Sequence, residues 1–241
     1  MSPRKLSASH IASDIRLVLR DGGSASHATS VQWFFKEQIK SHGWYTAELR
    51  KAAVRARRSM AGEYGNDFVI QVADKLFTGR YLEEKVFAVF LLEKQTHLFG
   101  EKEFKLFTSW LDRIDSWADH DALVHYLIAP MVAADSARSS QTFRWAKSPS
   151  RWIRRAACVA LIRGARQKQL FPEIVRLSGM LLEDQDDMVQ KGLGWLLREA
   201  AKYDPGKTVP YLMKIRARAP RLVLRTACET LPAPERKRIL A

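Results

Sequence analysis

Arg155-Ala156-Ala157-Cys158 returns almost unchanged as Arg225-Thr226-Ala227-Cys228, 70 residues further along the chain. Both tetrads sit where apolar residues recur at three- and four-residue steps, the period of an amphipathic helix. A third such stretch, Gln190-Lys191-Gly192-Leu193-Gly194-Trp195-Leu196-Leu197-Arg198-Glu199, lies midway and divides the interval into two steps of about 35 residues. That is the size of a two-helix repeat, which cannot bury its apolar face alone and so stacks on its neighbours. The pattern predicts an all-α solenoid of helical pairs with a concave face.

The same periodicity extends outward over nearly the whole chain, and no stretch alternates at period two for long. It predicts helices over residues 9–20, stopping at Gly22-Gly23; over 30–41, ending near Gly43; and over 46–60, closed by Gly62. Further helices are expected at 66–78, 81–97, 101–113, 117–134, 150–166, 172–183, 187–203, 208–217 and 220–230, punctuated by Gly79, Gly100, Pro149, Pro172, Pro205 and Pro232. Short connections make successive helices pack antiparallel. A chain of 241 residues can bury a substantial core as one elongated domain or two compact ones; the unbroken array favours a single domain over 1–241.

A net charge of +14 and a pI near 10.0 favour a polyanionic partner, of which nucleic acid is the commonest. The cations cluster: Arg50, Lys51, Arg55, Arg57 and Arg58 in one stretch, Arg151, Arg154, Arg155, Arg163 and Arg166 in another, Lys214, Arg216, Arg218, Arg221 and Arg225 in a third. Lining the concave face, they would track a phosphate backbone. The acidic run Glu183-Asp184-Gln185-Asp186-Asp187 falls between them. No run of about 18 apolar residues exists to span a bilayer. Met1-Ser2-Pro3-Arg4-Lys5 precedes an amphipathic stretch rather than an apolar one, against a signal peptide. Cys158 and Cys228 read as buried core residues of a reducing compartment, so a cytoplasmic protein is expected. No spacing of His, Cys, Asp or Glu suits a metal, and no cofactor is expected.

Three tryptophans sit at helical spacing from groups that handle charge. Trp117 precedes Asp121 by four residues, Trp152 precedes Arg155 by three, and Trp195 follows Lys191 by four. An indole face attracts cations, and a guanidinium grips phosphate. Structural roles compete at each position. Ser116-x-x-Asp119 fits a capping box, so Asp115 and Asp119 rival Asp121 as the functional acid. Trp152 reads as a core anchor, as do Trp44, Trp110 and Trp145. Gly192 and Gly194, beside Trp195, permit close approach either of a helix or of DNA. His120 adjoins Asp121, but neighbouring helix positions face different ways, so no dyad is expected.

Taken together, Trp117-x-x-x-Asp121, the segment Trp145-Ala146-Lys147-Ser148-Pro149-Ser150-Arg151-Trp152-Ile153-Arg154-Arg155-Ala156-Ala157 and the Gly192–Trp195 helix resemble the AlkD family of DNA alkylation repair glycosylases. The stretch Trp33-Phe34-Phe35-Lys36 … His42-Gly43-Trp44-Tyr45 is similar, more loosely, to that family's N-terminal aromatic segment. The resemblance spans residues from about 10 to 232. It implies a HEAT-like solenoid that excises positively charged N3- or N7-alkylated purines from duplex DNA. It also implies a catalytic carboxylate at Asp121, indoles beside the lesion at Trp117 and Trp195, and an active-site arginine at Arg155. Arg151, Arg154, Lys191, Arg225 and Trp33 are expected on the DNA, with the protein acting as a monomer. The chemistry is physically coherent: a cationic purine already leaves readily, and one carboxylate can stabilise the oxocarbenium-like sugar and orient water. The alternative is a non-catalytic HEAT-like protein that binds DNA or RNA with the same cations and no need of Asp121; a protein-binding scaffold is a third reading.

Overall fold

The computed structural model describes residues 6–241; the N-terminal pentapeptide weighed above as a leader lies outside them. Among the described residues the structure is helical without strands, and the only extended pairing is an isolated parallel bridge between Lys40 and Tyr81. In chain order the helices are α1 (Ala8–Asp21), α2 (Ala25–Gln32), α3 (Thr46–Tyr64), α4 (Asn66–Phe77), α5 (Leu82–Leu92), α6 (Glu101–Ser109), α7 (Trp117–Leu123) and α8 (Ala129–Ala134). They continue as α9 (Ser140–Trp145), α10 (Arg151–Ala160), α11 (Ile162–Arg166), α12 (Phe171–Leu181), α13 (Asp187–Tyr203), α14 (Pro205–Ile215), α15 (Arg221–Ala227) and α16 (Ala233–Leu240). The periodicity missed the short α9 and α16. No helix among the described residues is long and apolar enough to cross a membrane. The chain forms two compact units. One holds the described residues up to Gly100 with Arg113–Leu123; the other holds Glu101–Asp112 with Val124–Ala241.

In the first unit the central element is α5, whose run Phe87-Ala88-Val89-Phe90-Leu91-Leu92 is buried on every side. A helix apolar all round must be covered all round, and α3, α4 and α7 pack against it while α1 lies on α4. Ser7 and Ser24 start α1 and α2 by accepting from the His10 and His27 amides. The second helix therefore begins and ends earlier than expected, and residues 33–41 are not helical. Long-range partners explain the difference. The Gln32 side chain takes over local backbone groups, donating to the Glu37 carbonyl at 2.8 Å and accepting from the Ile39 amide at 3.1 Å. Lys40 then gives its carbonyl to the Leu82 amide. The buried Glu83 carboxylate accepts from the amides of His42 (2.8 Å), Gly43 (2.9 Å) and Trp44 (3.3 Å). Gly43 has φ of +79°, and a Cβ there would stand 2.0 Å from the Ser24 carbonyl oxygen, so this turn requires glycine. By contrast α3 runs through Gly62, where closure was expected, and stops at Gly65.

In the second unit α13 is the hub. It packs against α10 and α11 on one side and α15 on another, with α12 and α14 alongside. The stacked helices α10, α13 and α15 begin at 151, 187 and 221, steps of 36 and 34 residues, so the repeat in the sequence is a repeat in the packing. Both cysteines are buried within this stack. Two glycines permit it. A Cβ on Gly194 would lie 2.7 Å from Thr226 Cβ on α15, and one on Gly192 would lie 3.1 Å from Arg155 Cγ on α10. Their small size serves helix packing. The π-helical turn Val124–Ile128 precedes α8. Pro130, without an N–H, cannot supply the next α-helical bond, consistent with a register slip there.

Candidate functional site

The short helix α7 carries three aspartates' worth of chemistry at and before its N-terminus, and their surroundings differ. Asp119 closes the expected capping box: it accepts from the Ser116 amide at 2.8 Å and from the Ser116 hydroxyl. Its other oxygen accepts from the Asp115 amide at 2.9 Å and lies 3.4 Å from the buried Lys85 ammonium. Lys85 also pairs with Asp115 and donates to the Arg113 carbonyl. Asp115 and Asp119 are thus tied to a buried lysine. They line, with Lys40, Arg80 and Lys85, a cleft of about 380 Å³ at the start of α7.

Asp121 stands apart from that cluster. Its side chain is 20% exposed, and Oδ1 lies 2.7 Å from Nδ1 of the fully buried His120. The expectation of no dyad is corrected here. Although Cβ vectors of adjacent helix residues diverge by about 100°, both side chains are short and Nδ1 sits close to the backbone, so the two lean together. Trp117, one turn before Asp121 on the same face, is half-buried. Its ring stacks on Phe35 at 4.9 Å, and its indole N–H donates to the Phe34 carbonyl at 3.3 Å. The irregular segment after α2 therefore braces the indole. Trp33 on that segment is 88% exposed and Phe34 is exposed beside it, an aromatic tip facing solvent.

In the second unit Arg155 and Trp195 belong to one helix–helix seam. Arg155 is only 6% exposed and its guanidinium donates to the Met188 carbonyl at 2.7 Å, bracing α13 from α10. The arginine that the resemblance marks for the active site thus also braces the helix that bears Trp195. Trp195 is half-buried and stacks on His125 of the π turn at 5.5 Å. Its indole N–H also reaches Glu199. Burial pushes the Glu199 carboxyl up, but Arg166, Arg198 and this indole together hold it below its usual range. Neither His125 nor Glu199 was legible as a support for Trp195, although Glu199 lies four residues on, a spacing that signals a shared face.

The acidic run before α13 has a clear use. Asp184 pairs with Arg154 at 2.6 Å, Asp186 with Arg151 at 3.7 Å, and Asp187 with Lys191 at 3.1 Å. Three of the expected phosphate contacts are therefore engaged in ion pairs inside the unit. Arg151 also covers the Trp152 ring at 4.7 Å, and Trp152 is only half-buried. Arg225 is exposed, with no ion pair or hydrogen bond from its side chain among the described residues. Burial pushes the Cys158 thiol up to about 12, despite the opposing charge of Arg155, so it is no nucleophile at neutral pH. Among the described residues no group of three or more His, Cys, Asp or Glu is placed to hold a metal ion.

A search of curated proteins found no match. In fold the chain is similar to a predicted DNA alkylation repair enzyme from Enterococcus faecalis, with TM-score 0.77, 16% identity, and coverage of 88% of this chain and 97% of that one. It is also similar to AlkD2 from Streptococcus mutans, with TM-score 0.58, 18% identity, and coverage of 79% and 92%. A further solved structure from Streptococcus mutans, smu.31, aligns with TM-score 0.56 at 19% identity over 78% of this chain and 98% of that one. Identities this low carry the fold alone, which is the HEAT-like helical-repeat architecture expected above. The family model described as DNA alkylation repair enzyme matches residues 15–231, nearly the whole chain. The chain belongs to the family of DNA alkylation repair enzymes.

Proposed function

We propose that the protein is a DNA glycosylase that hydrolyses the N-glycosidic bond of positively charged N3- or N7-alkylated purines in duplex DNA. The observation that carries the reading is Asp121: a partly exposed carboxylate, held by a buried imidazole, one turn from a braced indole. Its two neighbouring aspartates are tied to Lys85, and this reading gives the chemistry to Asp121. Membership of a DNA alkylation repair family supplies the substrate class.

In this mechanism the C1′–N9 bond breaks with its electron pair going to the purine, which departs neutral. The sugar gains oxocarbenium character, and the Asp121 carboxylate stabilises it and orients a water. The water oxygen bonds to C1′ and its proton passes to the carboxylate or to solvent. Alkylation has already activated the leaving group, so no cofactor is required. Trp117 and Trp195 offer indole faces to the sugar or the cationic base, each contact worth about 0.5–2 kcal/mol. Arg151, Arg154, Lys191 and Arg225 take phosphates, the first three by exchanging their ion pairs, and Trp33 meets the duplex. Arg155 serves as the active-site arginine beside the lesion, and it also holds α13, which carries Trp195.

The test is direct. Incubated with duplex DNA carrying N7-methylguanine or N3-methyladenine, the protein should release free base above the spontaneous rate and leave the abasic strand uncut. Tight, salt-sensitive DNA binding with no release would transfer the chain to the non-catalytic reading.

A further inference from the structure

We propose that His120 is a positioning residue: its Nδ1–H fixes the orientation of the Asp121 carboxylate, and the excision rate depends on that bond. The inference rests on the reading of Asp121 as the charge-stabilising acid. An ionised carboxylate carries no hydrogen, so the 2.7 Å contact requires the proton on Nδ1 and fixes the imidazole tautomer. The ring itself is fully buried, which makes it a fixed post, whereas the Asp121 side chain keeps a fifth of its surface exposed. A partly exposed aspartate side chain has several χ1 wells and a broad χ2 open to it. A charge-assisted bond to an immobile donor selects one of them before DNA arrives.

The contact is also an unusual one for its place. Adjacent residues on a helix point to different faces, so an Asp that bonds its predecessor is drawn off the direction its own position would give it. Asp119, two residues earlier, shows the contrast: its oxygens go to Ser116, Asp115 and Lys85, a cluster that caps the helix and stays at the cleft. Asp121 instead bonds the buried imidazole of His120.

The substitutions that test this are chosen for donor position. Leucine keeps bulk and offers no donor; asparagine places an N–H where Nδ1 lies; glutamine places it one bond further out, where Nε2 lies. The measurements are the single-turnover excision rate at saturating protein on duplex DNA with one N7-methylguanine, the DNA Kd, and the melting temperature. His120→Leu should slow excision roughly 10- to 100-fold with Kd little changed, as a misplaced group does. His120→Asn should recover most of the rate and His120→Gln should not. Wild-type rate in a folded His120→Leu, with Asp121→Asn inactive, would show that His120 only fills space and overturn the proposal. If His120→Leu does not fold, equal rates for the Asn and Gln variants would overturn it, and Asn faster than Gln would support it. Full activity in Asp121→Asn would remove the carboxylate reading itself, and this inference with it.

Discussion

Asp119 and Asp121 lie two residues apart on α7, and their partners differ: one caps the helix and the other bonds the buried His120. Lys85 is buried against Asp119, so removing it strands a carboxylate away from water. Lys85→Met should therefore lower stability by about 3–5 kcal/mol in urea unfolding. A loss under about 1 kcal/mol would mean that Ser116 and the Asp115 amide suffice. Glu199 makes the matching case beside Trp195. Its carboxyl is held below the ordinary value near 4.5, so its contribution is complete above that value and is lost as pH falls below it and through the depressed folded-state value. Glu199→Gln should be less stable than wild type at pH 7, with the gap narrowing as pH falls below the ordinary value; a gap independent of pH would contradict the linkage. Spacing made the Trp117–Asp121 pair legible. It hid the His120 contact, because face rules treat Cβ directions and not the reach of two short side chains.

At the scale of elements, α10, α13 and α15 were legible because their packing partners repeat along the chain, and local periodicity carries that. The end of α2 was not, because the Gln32 side chain captures backbone groups of Glu37 and Ile39 that periodicity assigns to a helix. The two kinds of helical glycine should behave oppositely. Gly62 faces open space within α3, so Gly62→Ala should raise stability by about 0.5–1 kcal/mol. In Gly194→Ala the new Cβ meets Thr226, at an overpacking cost of about 1–3 kcal/mol that exceeds the gain of about 1 kcal/mol in propensity. Thermal or urea unfolding of both variants checks the pair. A stabilising Gly194→Ala would mean that the α13–α15 seam yields easily.

Over the whole molecule, a charge of +14 on a chain of a DNA alkylation repair family predicts binding dominated by phosphate contacts. For some six contacts, affinity for duplex DNA should fall about a thousandfold between 50 and 200 mM salt. Arg225→Ala should flatten the log–log slope by about 1, because that side chain is exposed without a partner in its own unit. An unchanged slope would place Arg225 off the DNA. Charge alone would serve a passive binder equally well, which is why the proposed chemistry rests on the motif residues and not on composition. The decisive quantity is the single-turnover rate of N7-methylguanine release from duplex DNA by wild type and by Asp121→Asn, with DNA affinity measured on the same preparations. The account predicts a fall of about 100-fold or more at similar affinity; release by Asp121→Asn at the wild-type rate would contradict it.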